Sequence, residues 1–284
     1  MHGIALICCA RNSKVQRGAS GATSSADVFH RQGTVYHRVP LAAEILMKLE
    51  GQRIVILGGT VGIGFGVATA ADDGAHVVVV SSNPERVAQA VAKLPQGAAG
   101  HTADLSKEDE VKALFQRIGA FDHLVYTAGD WALFGAFESL DLAAAKRSFD
   151  VRYWGALAAI KYALPHIRAT GSIVLTSGIS AQRPFKGWAI PASILGGMEA
   201  LTRALALELG PLRVNIVAPG MVTTEMWDEL PAEERQKMYT EMAAKLPVGR
   251  VANALEVAES YLYLMRQTFS TGQVIVVDGG GVLI

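Results

Sequence analysis

Residues 53–64 read Arg-Ile-Val-Ile-Leu-Gly-Gly-Thr-Val-Gly-Ile-Gly. Arg53–Leu57 is short, apolar and β-branched, the composition of a strand buried on both faces. The glycine-rich run that follows, Gly58-Gly59-Thr60-Val61-Gly62-Ile63-Gly64, opens a helix that the pattern carries to Ala75. Glycine suits this place for three reasons. The turn is tight, a pyrophosphate must approach the backbone, and the helix must pack close to the sheet. The helix start then offers free N–H groups and a positive dipole end to a phosphate. The spacing is G-x-x-x-G-x-G rather than G-x-G-x-x-G, so its weight comes from the strand–turn–helix context. The plain alternative is a glycine-rich turn that holds no ligand.

Outward from this turn the pattern alternates. Strands are expected at His76–Val80, Gly100–Ala103, Phe121–Thr127, Ser172–Thr176, Arg213–Ala218 and Gln273–Val277. Between them lie helices. Asn83 caps one that has Pro84 at its first position. Ser106 and Asp109 form a capping-box-like start for another, ending at Ile118. Asp141 opens a long helix reaching Leu164, and two more are expected at Leu195–Leu209 and Ala254–Met265. Strands separated by helices imply parallel pairing, right-handed crossovers and helices on both sheet faces. The fold class is α/β, a three-layer doubly wound domain over residues 47–284. Residues 1–46 are rich in Ser, Arg and His, poor in acids and without a sustained period. They read as a disordered extension or a misassigned start, with an organellar transit peptide as the sharper alternative.

Of the 284 residues half are apolar and 18% charged, and the formal net charge is zero. A nucleic-acid surface would need a basic bias, and no apolar run approaches the roughly 18 residues that span a bilayer. Neither nucleic acid nor membrane is therefore an expected partner. The two cysteines, Cys8 and Cys9, are adjacent, which fits a reducing cytoplasm. No H-x-x-H or C-x-x-C spacing suggests a metal, and no G-x-S-x-G elbow suggests a hydrolase.

The glycine turn resembles the T-G-x-x-x-G-x-G motif of the short-chain dehydrogenase/reductase family, with Leu57 where threonine is usual. Further landmarks follow in order. Asp104-Leu105 resembles the acidic pair that contacts adenine, and Tyr126-Thr127-Ala128-Gly129 resembles N-N-A-G. Asn215 with Pro219, Gly220, Val222 and Thr224 resembles the segment that holds a nicotinamide carboxamide. Val277-Asp278-Gly279-Gly280 resembles the usual end of the fold. The resemblance covers residues 47–284. It implies a Rossmann fold with a mostly parallel seven-stranded sheet in the order 3-2-1-4-5-6-7. It also implies a nicotinamide cofactor at the carboxyl ends of the strands, and a homodimer or homotetramer. The cofactor contacts carried over are Gly58, Thr60, Gly62, Ile63, Gly64, Asp104, Leu105, Thr127, Ala128, Gly129, Pro219, Gly220, Val222 and Thr224.

An NAD(H) enzyme places Asp or Glu at the end of the second strand, to accept from the ribose hydroxyls. Here that position falls at or near Ser81, followed by Ser82 and Asn83. No carboxylate repels a 2′-phosphate, and the hydroxyls, the Asn83 amide and the helix start can donate to it. NADP(H) is the expected cofactor and NAD(H) the alternative, with Arg86 one helical turn further on. Ser82 and Asn83 also suit simple helix capping.

The proton-transfer residues that the resemblance implies are missing. Without gaps, the tyrosine position falls on Pro191, the lysine position on Leu195, the serine position on Gly178 and the asparagine position on Arg152. No tyrosine occurs between Tyr162 and Tyr239, so no small shift of register restores the pair. Two readings stay open. In one, the chain is an NADP(H)-dependent oxidoreductase of a small, mostly apolar alcohol or carbonyl compound. Ser177 would then bond the substrate oxygen, Arg152 would stabilise developing negative charge, and water or Lys186 would supply the proton. In the other, it binds cofactor without turnover, as a sensor or assembly subunit. A lyase or isomerase step on the same scaffold is a weaker third. Trp131, Phe134, Trp188, Met221 and Trp227 fall in segments expected to border the substrate cleft.

Overall fold

The β-branched runs become seven strands: β1 Arg53–Leu57, β2 His76–Ser81, β3 Ala99–Thr102, β4 Phe121–Tyr126, β5 Ile167–Thr176, β6 Arg213–Pro219 and β7 Val274–Val277. In this computed structural model they form one sheet in the order β3-β2-β1-β4-β5-β6-β7, every neighbouring pair parallel. The helices are α1 Gly62–Ala70, α2 Pro84–Lys93, α3 Glu108–Ile118, α4 Leu142–Phe149, α5 Ala156–Ala163, α6 Ala189–Glu208, α7 Ala232–Lys245 and α8 Ala254–Arg266. The structure describes residues 28–31, 34–37, 49–71, 74–129 and 133–284.

The chain divides into two units, Met1–Ile45 and Leu46–Ile284. In the first, Val28–Arg31 pairs antiparallel with Thr34–His37, where the sequence had suggested no regular structure. Cys8, Cys9 and Trp131 lie outside the described residues. Among the described residues, no helix is long and apolar enough to cross a membrane.

Successive strand residues face opposite sides of a sheet, and here both sides are dry. Val55, Leu57, Val78, Val80, Leu124 and Leu175 pack with α3, α5 and α6. Ile54, Ile56, Val77, Val79, Val125 and Val174 pack with α1, α2 and α8. This is the physical content of the continuous apolar runs seen in the sequence. At the start of β6, the buried Arg213 guanidinium donates to the carbonyls of Leu264 (2.7 Å), Met265 (3.0 Å) and Gln267 (2.5 Å). These are carbonyls that the end of α8 would otherwise leave unpaired.

Several helix ends differ from expectation. Helix α1 stops at Ala70 rather than Ala75. Ser106 does not cap α3: its hydroxyl donates to Asp104 Oδ1 at 2.7 Å. The helix instead begins after Lys107 with Glu108, Asp109 and Glu110 at its positive end. Helix α6 starts at Ala189, six residues before the expected Leu195, because Pro191 lies in the first turn, where a missing N–H costs nothing. The long helix opened by Asp141, which caps it at the Ala143 N–H, is interrupted by a π-helical turn at Asp150–Gly155. The Tyr126 hydroxyl donates to the Val151 carbonyl at 2.5 Å and so supports that turn. Gly155 allows it to press on the sheet edge: a Cβ there would lie 2.7 Å from the Leu105 carbonyl oxygen.

His123, on β4, is 3% exposed and bonded to Ser172 Oγ (2.8 Å) and Gln52 Oε1. Burial, aided by the Arg213 charge and opposed by Asp122, pushes its pKa down to about 4. The unfolded imidazole takes a proton below its ordinary value near 6.5, while the folded one does not until about 4. Stability is therefore expected to fall as pH drops through that window, by at most about 3 kcal/mol from this group. Urea denaturation of the wild type and His123→Gln at pH 7 and pH 4.5 checks this. The loss between the two pH values should be smaller in the variant.

Candidate active site

A cavity of about 840 Å³ opens over the carboxyl ends of the strands, where the strand order reverses between β1 and β4. Its floor at the β1 end is the glycine turn. Gly58 is left-handed (φ 86°). A Cβ on Gly64 would lie 2.2 Å from the Gly58 carbonyl oxygen and 2.4 Å from Thr127 Oγ1, so only glycine lets α1 seat this close. Thr127 joins β4 to the turn. Its N–H donates to the Leu57 carbonyl at 2.9 Å, and its hydroxyl lies 3.2 Å from the carbonyls of both Leu57 and Gly58. The result is a backbone cradle at a helix N-terminus, the kind of wall that fits a dinucleotide pyrophosphate.

The cradle has a carboxylate on it. The Gly62 N–H donates to Glu225 Oε2 at 2.8 Å. Glu225 opens a 3₁₀ turn, Glu225–Trp227, that also carries Met226, whose sulfur lies 3.8 Å from Arg152 Nη2. This turn thus touches both the glycine turn and Arg152.

The structure brings together nearly all the residues expected to hold a cofactor. Gly58, Thr60, Gly62, Ile63 and Gly64 line the cavity from β1, and Thr127, Ala128 and Gly129 from β4. Pro219, Gly220, Val222 and Thr224 line it from β6. Ser81 and Ser82 close its β2 side together with Arg86, while Asp104 and Leu105 close the β3 side. Hydrogen bonds from the Ser106 hydroxyl and N–H hold the Asp104 carboxyl below its ordinary range. Asn83 caps α2 as expected, its Oδ1 accepting the Arg86 N–H at 3.0 Å, and does not line the cavity. Asn215 is buried within β6, donating to the Ser270 carbonyl (2.9 Å) and accepting from the Gln273 N–H (3.0 Å).

Further along the wall Arg152 projects from the π turn onto Gly129. A Cβ on Gly129 would lie 2.4 Å from the centre of the guanidinium, so Gly129 makes the space that Arg152 occupies in the wall. Pro191 and Leu195 line the cavity too. A Cβ on Gly178 would lie 3.2 Å from Leu195 Cδ1, so the leucine side chain closes over the missing serine side chain. Ser177 lines the cavity and is 5% exposed. Its hydroxyl is directed to α6, donating to Glu199 Oε1 at 3.0 Å, with the Leu195 carbonyl at 3.3 Å. Lys186 is not in this wall and lines a neighbouring cavity. Phe134, Trp188, Met221 and Trp227 border the apolar side. Trp188 is flanked by Phe134 (4.6 Å between ring centres) and Phe185 (5.3 Å), and the Trp227 indole is anchored to the Val222 carbonyl at 3.1 Å.

Sequence reasoning missed Glu199. The clue was present: positions 191, 195 and 199 are spaced i, i+4, i+8 and share one face of α6. The first two stand where tyrosine and lysine are usual, and the next carries a carboxylate that is 8% exposed. Among the described residues no cluster of His, Cys, Asp or Glu could hold a metal ion.

Comparison with known proteins agrees with this architecture. A family model described as "Enoyl-(Acyl carrier protein) reductase" matches residues 58–281. A protein named short-chain dehydrogenase/reductase ATR9, from Stachybotrys chlorohalonatus, is 38% identical over 254 residues, covering 83% of this chain and 98% of its own. A crystal structure of a small-chain dehydrogenase in complex with NADPH is 35% identical with a TM-score of 0.73, covering 83% of this chain and all of that one. The MalC reductase/Diels-Alderase of Malbranchea aurantiaca is 29% identical with a TM-score of 0.78, covering 85% of this chain and 99% of that one.

A cofactor phosphate bound at this turn would compete with the Glu225 carboxylate for the Gly62 N–H. Glu225→Gln is therefore expected to tighten nicotinamide cofactor binding by about tenfold, the scale of one charged hydrogen bond. Isothermal titration of both proteins measures it, and equal affinity would show that the carboxylate does not compete.

Proposed function

This chain belongs to the short-chain dehydrogenase/reductase family, and on that footing we propose that it is an NADP(H)-dependent oxidoreductase acting on a small, mostly apolar alcohol or carbonyl compound. One observation carries the reading: a single cavity contains the phosphate cradle, the Arg152 guanidinium, the Ser177 hydroxyl and the apolar wall around Trp188. The family's oxidoreductase chemistry and the glycine cradle support a nicotinamide cofactor. The finer preference for NADP(H) rests on Ser81, Ser82 and Arg86, a wall with donors and no carboxylate where a 2′-phosphate would lie. When bound, the nicotinamide supplies or accepts the hydride.

The chain's own residues handle charge and the proton. Arg152 is a fixed cation and a poor acid, so its part is to stabilise negative charge on the reacting oxygen. The proton follows Ser177 and Glu199. In the oxidation direction the substrate hydroxyl donates to Ser177 Oγ as the Ser177 proton passes to the Glu199 carboxylate. Reduction runs the two transfers backwards and leaves the carboxylate to be reprotonated from water. Pro191, Leu195 and Gly178 carry no titratable group, so this wall excludes water without taking part in the transfer.

A second reading, cofactor binding without turnover, is favoured by the same apolar wall. The two separate in one series of measurements. Fluorescence titration should show NADPH binding at least about tenfold tighter than NADH, a gap that Arg86→Ala narrows. Consumption is then followed against a panel of aldehydes and ketones. Turnover is expected, with kcat about 100-fold lower in Ser177→Ala, Glu199→Gln and Arg152→Ala and cofactor affinity kept. The Ser177→Ala/Glu199→Gln double variant should be no slower than either single one, because both interrupt one relay. Tight NADPH binding with no consumption across the panel would favour the non-catalytic reading.

A further inference from the structure

A second cavity, about 730 Å³, adjoins the apolar side of the first. The two share Ile179, Phe185 and Met242 in their walls. The second wall adds Arg183, Lys186 and Lys245, two from the loop before α6 and one from the end of α7. All three are exposed. Among the described residues no carboxylate pairs with any of them, whereas Lys107, Lys161, Arg168, Arg235, Lys237 and Arg250 each have an acidic partner. The same wall also holds Ile284, whose terminal carboxylate is the one negative charge in it. Three cations against that single carboxylate leave the hollow net positive, a local potential that attracts anions.

We propose that the substrate carries an anionic group, a carboxylate or a phosphate monoester, on an apolar stem. The reacting carbon lies in the larger cavity, the stem passes along Ile179, Phe185 and Met242, and the anion is held by Arg183, Lys186 and Lys245. The proposal rests on the oxidoreductase reading of the larger cavity. It also gives a use to Lys186, which the proton path leaves aside.

Three aryl ketones of equal stem length test this in the presence of NADPH: 4-oxo-4-phenylbutanoate, its methyl ester and the corresponding phosphate monoester. Binding is measured by isothermal titration and turnover by NADPH absorbance. At low salt at least one anion should bind about tenfold more tightly than the ester. The gap should shrink in about 0.5 M NaCl, where screening is strong. The triple variant Arg183→Ala/Lys186→Ala/Lys245→Ala should abolish the gap and leave ester and NADPH binding unchanged. Where turnover occurs, its effect should fall on KM rather than kcat. Whichever anion binds more tightly identifies the group. Equal binding of anions and ester, or a preference that the triple variant keeps, overturns the anion seat. Selective anion binding lost in the triple variant, with no ketone reduced, leaves the seat standing and removes the oxidoreductase reading instead.

Discussion

The carboxyl edge of the sheet depends on the contact of Gly64 with the Gly58 carbonyl and the Thr127 hydroxyl. A single extra carbon at Gly64 would overlap both. Without that contact α1 could not seat against β1, and its free N–H groups would not face the space above β4. The same closeness draws Thr127, Ala128 and Gly129 under the cavity, and Gly129 in turn makes the gap that the Arg152 guanidinium fills. One steric requirement at the first turn thus propagates along the sheet edge to the residue proposed to stabilise charge.

Those parts of the molecule that depend on local pattern were legible in the sequence. Strands buried on both faces read as apolar runs, the glycine turn declared its neighbours, and Pro84 marked a helix start. Less legible were helix ends, such as those of α1 and α6, and polar side chains with more than one suitable partner. Ser106 has the composition of a cap but bonds back to Asp104. Asn83 suits both a ligand and a helix end, and the expected cap to the Arg86 N–H forms. Asn215 resembles a site residue by spacing, yet two backbone groups of the loop before β7 use both ends of its amide. Such choices are decided by tertiary neighbours, which a single sequence does not display.

The π turn at Asp150–Gly155 belongs to the same class. The pattern runs one helix through it, although Val151, Tyr153 and Gly155 are weak helix formers, and contacts made far along the chain support the irregularity. The Tyr126 hydroxyl takes the Val151 carbonyl, and Gly155 sits against the Leu105 carbonyl. Turns of this kind often mark functional positions, and this one carries Arg152. Glu199, by contrast, was readable from the helical period alone. It went unnoticed because the two positions before it on that face had lost their expected groups.

The altered wall is also coupled. Leu195 Cδ1 lies 3.2 Å from where a Gly178 Cβ would be, so serine at 178 needs the leucine to move. Lysine at 195 would place an ammonium beside Pro191, with no phenol for it to act on and an apolar wall to desolvate it. Each substitution alone therefore carries a steric or electrostatic cost, and neither alone provides the phenol. The proposed oxidoreductase reaction therefore needs a route for the proton that does not pass through this wall. The buried Ser177–Glu199 pair, next along α6, offers one that requires nothing from positions 178, 191 and 195 except an apolar seal.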